Sequence, residues 1–190
     1  MFALFAALLI AADQLTKLWA ASTFPLGSVG RYIGLGFYFT YVQNTGAAFG
    51  IFQGVNMPLG PFTLNGTSLL GILSATVSLF IFIYIWRNRT TMPRIQQTAL
   101  TLILAGALGN MIDRFRLSYV IDFIHFNTPF LNFPVFNVAD SCVVIGAGLL
   151  IISSLFVQPK AEPQSDLDFA RAETSEEVKP LTHESQEPVS

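Results

Sequence analysis

Residues 68–86, SLLGILSATVSLFIFIYIW, run without a charged side chain and end at Trp86 with Arg87 and Arg89 close behind. At ~1.5 Å per residue a helix over this run reaches roughly 28 Å, close to the ~30 Å hydrocarbon thickness of a bilayer. Backbone polar groups in lipid have no water to bond, so such a run must close its hydrogen bonds internally. Three further stretches read the same way, at about 2–21, 95–112 and 139–157. Composition agrees: 52% hydrophobic and 12% charged residues, with a mean hydropathy of +0.55, lie far from a soluble domain, in which about 25% of residues are charged. The sequence predicts an all-α membrane protein with four transmembrane helices.

The short connection between the second and third runs carries Arg87, Arg89 and Arg94 and no acid. Basic residues concentrate in short cytoplasmic loops, which puts this connection and both termini in the cytoplasm. The longer connections, 23–67 and 113–138, then face the outside. The first of these changes character to Gly, Pro and aromatic residues, with the β-rich stretch YIGLGFYFTYVQ at Tyr32–Gln43 and turn signals at Met57-Pro58, Gly60-Pro61 and Asn65-Gly66. A small extracytoplasmic β-sheet lying at the membrane surface is expected there.

Charge is distributed unevenly. Residues 158–190 hold three basic and eight acidic residues, whereas 1–157 hold seven basic and four acidic. The tail is polar and punctuated by proline, and it cannot bury enough apolar surface to offset its ordering entropy, so it is expected to be a disordered acidic cytoplasmic segment outside the four-span domain at 1–157. Nucleic acid is excluded as a partner by the absence of any basic run. The single cysteine, Cys142, permits no intramolecular disulfide and gives no indication of compartment.

Two charges interrupt the first span. Asp13 and Lys17 stand four residues apart with the acid first, the favourable order on a helix. The start FALFAALLIAA resembles a signal peptide, but the basic n-region is missing and the two charges break the apolar core, so an uncleaved span is expected. Ionisable residues inside a span are costly and mark a functional or pairing role. Asp13 and Lys17 fall in the outer half of the helix, where Lys17 can extend toward the interface or pair with the surface sheet.

The remaining charge of the membrane part gathers between Ala105 and Asp140. Asn110 with Arg114, and Asp113 with Arg116, have spacings that let each pair share a helix face. They either terminate the third span or hold a substrate backbone, a task suited to the guanidinium fork. Asp122 and Asp140 flank an aromatic, Pro-containing segment. Two carboxylates sharing a site cannot both ionise comfortably, so one keeps a proton and the pair can act as acid and base on water and an amide. The alternatives are structural: Asn137 as an N-cap with Asp140 three residues on, in the manner of a capping box, and Asp122 as a solvated interfacial residue. Spacing alone leaves both open.

Several enzyme classes lack their parts. There is no His-Glu-x-x-His and no Gly-x-Ser-x-Gly, and His125 and His183 are the only histidines. Cys142 opens an apolar helix with no basic neighbour to activate it, so a nucleophilic pair with His125 is unattractive.

Five ordered stretches carry a resemblance: DQLTK at Asp13–Lys17, QNTGAAFG at Gln43–Gly50, GALGNMIDR at Gly106–Arg114, VIDFI at Val120–Ile124 and FNVADS at Phe136–Ser141. Together they resemble the prolipoprotein signal peptidase family, signal peptidase II, over residues 1 to about 157. The resemblance implies a bacterial inner-membrane aspartyl endopeptidase that removes signal peptides from diacylglyceryl-modified prolipoproteins, cutting before the lipidated cysteine. It implies Asp122 and Asp140 as the catalytic pair, with Asn44, Asn110, Arg114 and Asn137 as the polar residues around it and Asp13 and Lys17 in support. It implies no metal, no organic cofactor and no obligate protein partner; the partners are the prolipoprotein and membrane lipids. His125 and Phe126 follow VIDFI where related sequences often carry another acid, and the acidic tail is longer than the family minimum.

Two other classes compete. A small proton-coupled membrane transporter would use Asp13 and Lys17 as its relay and would tolerate loss of Asp140. A non-enzymatic scaffold would depend on the acidic tail.

Overall fold

The computed structural model describes residues 2–46, 55–59 and 62–156. The acidic tail, the Ala47–Gly50 end of the QNTGAAFG stretch and the Gly60-Pro61 turn signal lie outside the described residues.

The four expected spans are present as α1 (Phe2–Thr23), α2 (Gly66–Asn88), α3 (Arg94–Leu117) and α4 (Val138–Phe156). Each is long and apolar enough to cross a membrane. Helix α2 starts where Asn65 Oδ1 accepts from the Ser68 backbone N–H at 2.8 Å, so the Asn65-Gly66 signal marks a helix cap. Pro93 precedes α3, where a missing N–H costs nothing. That helix ends five residues beyond the expected 112. The Ser118 N–H bonds Arg114 O at 3.1 Å with Ser118 in the left-handed region at φ 64°, closing the last turn.

Helix α3 is the hub, packing against α1, α2 and α4. Small residues permit the closest approach, along the α3–α4 seam. A Cβ added at Gly106 would run into Ala139 O and lie 2.7 Å from Val143 Cγ2, and one at Gly146 would lie 2.6 Å from Ala99 O. Without water to drive helices together, such close backbone packing is a main source of association within a bilayer.

The strands are β1 (Arg31–Gly34), β2 (Phe37–Asn44), β3 (Asn56–Leu59), β4 (Phe62–Asn65), β5 (Val120–Thr128) and β6 (Leu131–Asn132). They form an antiparallel sheet in the order β1-β2-β5-β6 and a separate β3-β4 hairpin. The β-rich stretch expected at 32–43 falls within β1 and β2, with a turn at Leu35-Gly36 between them. Two expectations change. The Met57-Pro58 turn signal lies inside β3, and the connection at 113–138, read as a loop, holds the end of α3 and the inner strand β5. Val120, Ile121 and Phe123 supply the apolar content of a buried strand, but Asp122 interrupts it and disguises it as a loop.

Strand β5 joins the sheet to the entry of α4. Its Asp122 lies opposite Val42 in β2, and the Phe123 and Ile124 N–H groups donate to Phe136 O at 3.0 and 2.8 Å, with Phe136 N–H returning to Ile124 O at 2.9 Å. The chain entering α4 is thereby laid against β5. Gly106→Leu is expected to destabilise the bundle by about 3 kcal/mol through overpacking at the seam, whereas Gly148→Leu, with nothing within 4 Å of its added Cβ, should leave it nearly unchanged. Thermal unfolding of the two variants in detergent micelles checks this.

Candidate active site

The four acidic residues of 1–157 are Asp13, Asp113, Asp122 and Asp140. All four lie in one hydrogen-bonded network where α1, α3, α4 and β5 meet. Three of them, Asp13, Asp113 and Asp122, are buried, at 1%, 1% and 2% exposure.

Lys17 is at the inner end of the network. Its ammonium is 2.9 Å from Asp13 Oδ2 and 2.9 Å from Asp113 Oδ2, and it donates to Asn110 Oδ1 at 2.9 Å. An ammonium has three N–H donors and no acceptor, and these partners use all three. Lys17 therefore does not extend to the interface; at 1% exposure it is enclosed. Gln14 adds donors to Asp113 Oδ1 at 3.0 Å, Gly109 O at 3.2 Å and Asp13 Oδ2 at 3.2 Å.

The carboxylates around Lys17 also reach backbone. Asp13 Oδ1 accepts from Ala139 N–H at 2.9 Å, capping α4 from α1. Asp113 Oδ2 accepts from Ile121 N–H at 3.2 Å, tying α3 to β5 one residue before Asp122. The sequence spacing suggested Arg116 as the partner of Asp113; among the described residues Asp113 instead makes its ion pair with Lys17. Asp113 and Gln14 were not among the expected site residues. The signal for Asp113 was the need of a buried ammonium for three acceptors, of which its own helix supplies only Asp13.

Asn110 passes the arrangement outward. Its amide oxygen accepts from Lys17 and from Asn137 Nδ2 at 3.1 Å, so its amide nitrogen faces Asp140 Oδ1, at 2.8 Å. Asp140 Oδ2 accepts from the Asn137 backbone N–H at 3.2 Å, while Asp140 N–H donates to Asn137 Oδ1 at 2.9 Å. This reciprocal pair is a capping box at the start of α4. Asn137 Nδ2 also donates to Asp122 Oδ1 at 2.7 Å, and Asn44 Nδ2 donates to Asp122 Oδ2 at 2.9 Å. Asn44 is held in turn by Gly46 N–H at 3.0 Å.

The two aspartates are thus linked through Asn137, one from a strand and one from a helix start. Burial raises the Asp122 carboxyl most, and the charge of Asp140 raises it further. Hydrogen bonds from Asn44 and Asn137 and the charge of Lys17 oppose them, and the balance pushes Asp122 up to about 7. Arg114 lies alongside, its Nη1 donating to Asn110 O at 3.3 Å. Every residue expected at the site is brought to this junction. His125 is engaged elsewhere, its Nε2 2.8 Å from Asn132 Oδ1, and Cys142 is buried in α4. Among the described residues no group of three or more His, Cys, Asp or Glu side chains is disposed to hold a metal ion.

Fold and site together define a four-helix membrane protein with two linked aspartates at the junction of sheet and bundle. The family model described as "Signal peptidase (SPase) II" matches residues 5–156, and the chain belongs to the signal peptidase II family. It is 42% identical over 153 residues to the lipoprotein signal peptidase of Trichormus variabilis, covering 80% of this chain and 88% of that one. The lipoprotein signal peptidase of Streptococcus pyogenes serotype M2 is 40% identical over 152 residues, covering 80% and 91%. A solved structure described as "Bacterial membrane enzyme structure by the in meso method at 2.3 A resolution" superposes with a TM-score of 0.69 at 31% identity, covering 85% of this chain and 93% of that one.

Asp113→Asn is expected to cost about 2 kcal/mol of stability, because an amide is a poorer acceptor for Lys17, Gln14 and the Ile121 N–H, which all bond this carboxylate. Detergent-solubilised protein should show this as a lowered unfolding temperature, with the Asp122 network loosened through Ile121.

Proposed function

We propose that this chain is an aspartyl endopeptidase of the bacterial inner membrane that removes signal peptides from diacylglyceryl-modified prolipoproteins, cutting before the lipidated cysteine. The observation that carries the reading is the pair Asp122 and Asp140, linked through Asn137, with the Asp122 carboxyl pushed up to about 7. Family membership supplies the substrate, and the geometry supports the chemistry.

In this mechanism a water lies between the two carboxyls. Asp140 takes a proton from it while Asp122 donates its own to the scissile carbonyl oxygen, and the hydroxyl adds to the carbonyl carbon. The tetrahedral diol then collapses. Its hydroxyl proton returns to Asp122, the proton on Asp140 passes to the leaving nitrogen, and the C–N bond breaks. One water is consumed and both carboxyls regain their starting states. Asn44 and Asn137 hold Asp122, Asn110 and the α4 cap hold Asp140, and Arg114 binds a carbonyl of the substrate backbone. Asp13 and Lys17 support this frame. A proton relay through them is disfavoured, since the ammonium donors of Lys17 are all committed.

The orientation that suits this reading puts Arg87, Arg89, Arg94 and both termini in the cytoplasm and the sheet with its aspartates outside. The four-span domain ends near residue 157, and the acidic tail beyond it is dispensable for cleavage.

Purified protein reconstituted with a diacylglyceryl prolipoprotein tests the reading by gel shift. Asp122→Asn and Asp140→Asn should each fold and lose roughly 1000-fold or more of turnover; normal turnover by either overturns it. Asp122 must carry its proton to act as the acid. A raised carboxyl pKa means the protonated form persists below about 7 and is lost above it, so turnover should fall about tenfold per pH unit on the alkaline side. A rate flat from pH 6 to 9 would contradict that proton assignment.

A further inference from the structure

The sheet ends, away from the helices, in two adjacent hairpin tips. Strand β5 is buried from Val120 to Phe123 and opens progressively toward Thr128, so its far end stands roughly 26 Å from its root at ~3.3 Å per residue. The β1–β2 turn is Leu35-Gly36 and the β5–β6 turn is Pro129-Phe130. The tips touch: Asn127 N–H donates to Gly36 O at 2.8 Å, and a Cβ added at Gly36 would lie 2.8 Å from Thr128 Cγ2.

What the tips present is apolar. Phe130 is 98% exposed and Leu35 89%, with Ile33, Leu131 and Phe133 about half exposed beside them. No charged residue occurs from Tyr32 to Phe39 or from Phe123 to Phe136. Leu35 is the telling residue. Both Leu35 and Gly36 have positive φ, 52° and 83°, the geometry of a turn that favours Asn, Asp or Gly at its first position. A leucine there is conformationally unfavourable and gains nothing by burial within the chain, so some other apolar medium must receive it.

That medium is continuous with the lipid-facing side of the bundle. Leu15, Leu18 and Trp19 are exposed on the flank of α1, and the Trp19 ring lies 5.1 Å from Phe39 and 6.3 Å from Phe123 of the sheet. The sheet therefore leaves the bundle beside a lipid-exposed helix face. We propose that the paired tips, led by Leu35 and Phe130, insert into the interfacial zone of the same membrane that the helices cross, making the sheet a second, shallow anchor. Depth is limited: strand edges with free N–H and C=O groups need the water still present among headgroups, so only side chains enter hydrocarbon. The proposal is independent of the proteolytic reading.

Nitroxide labels test it. In a Cys142→Ala background, Leu35→Cys, Phe130→Cys and, as a water-exposed reference between α2 and α3, Thr90→Cys are labelled and reconstituted in phosphatidylglycerol/phosphatidylethanolamine vesicles. The ratio of oxygen to nickel-chelate collision rates at 35 and 130 should exceed that at 90 severalfold. Ratios equal to that at 90 overturn the proposal. So does spin–spin broadening at 130 that disappears on dilution with unlabelled protein, which would mean that a second copy covers the tips.

Discussion

A lysine ammonium enclosed among membrane-spanning helices must have every donor satisfied, and the architecture around Lys17 answers that demand. Its partners come from α1 and α3, Asp13 and Asp113 among them, and those carboxylates extend the set to the start of α4 and the root of β5. One cation faces two anions. The remaining negative charge is met by Gln14 and by backbone N–H groups, including one at the N-terminus of α4, where the helix dipole favours an anion. Unpairing any member would leave a charge in a low dielectric, so the helices and the strand are held in one arrangement.

The same frame holds Asp122 rigidly while leaving its carboxyl raised to about 7. The side chains that bond it directly are the neutral amides of Asn44 and Asn137. A guanidinium in their place would lower the carboxyl by roughly 1–3 pH units. Amides orient a carboxyl without supplying a full charge, so burial and the nearby Asp140 dominate its proton affinity. At Asp140 the cap and the network likewise coexist, since the helix start that uses one of its oxygens also aims the other at Asn110.

Much of this was legible in the chain. Unbroken apolar runs define spans because lipid allows few other backbone solutions, and the Asn137–Asp140 spacing encodes a local capping box. The residues expected at the site meet at one junction, but Asp113 and Gln14 were not foreseen there, nor were the connections. Lys17 reads as a residue able to reach the interface because its partners Asn110 and Asp113 stand far along the chain, and helical spacing carries no information at such range. Strand β5 was hidden by Asp122 itself: a carboxylate in the middle of a short apolar run looks like a loop until the two amides that satisfy it are in place. At the α3–α4 seam, Gly106 and Gly146 gain meaning only from their approach to Ala139 O and Ala99 O.

The bond from Asp13 to the Ala139 N–H joins residues 126 positions apart, nearly the full length of the four-span part. A ribosome makes the chain from the amino end, so the first helix enters the bilayer long before the last exists. Until α4 arrives, Asp13 has no helix start to cap, Asn110 has no Asp140 to orient, and Asp122 has no Asn137 beside it. The centre cannot assemble on a truncated chain. Closure of this bond therefore completes the junction, and a chain lacking α4 leaves these groups without their partners.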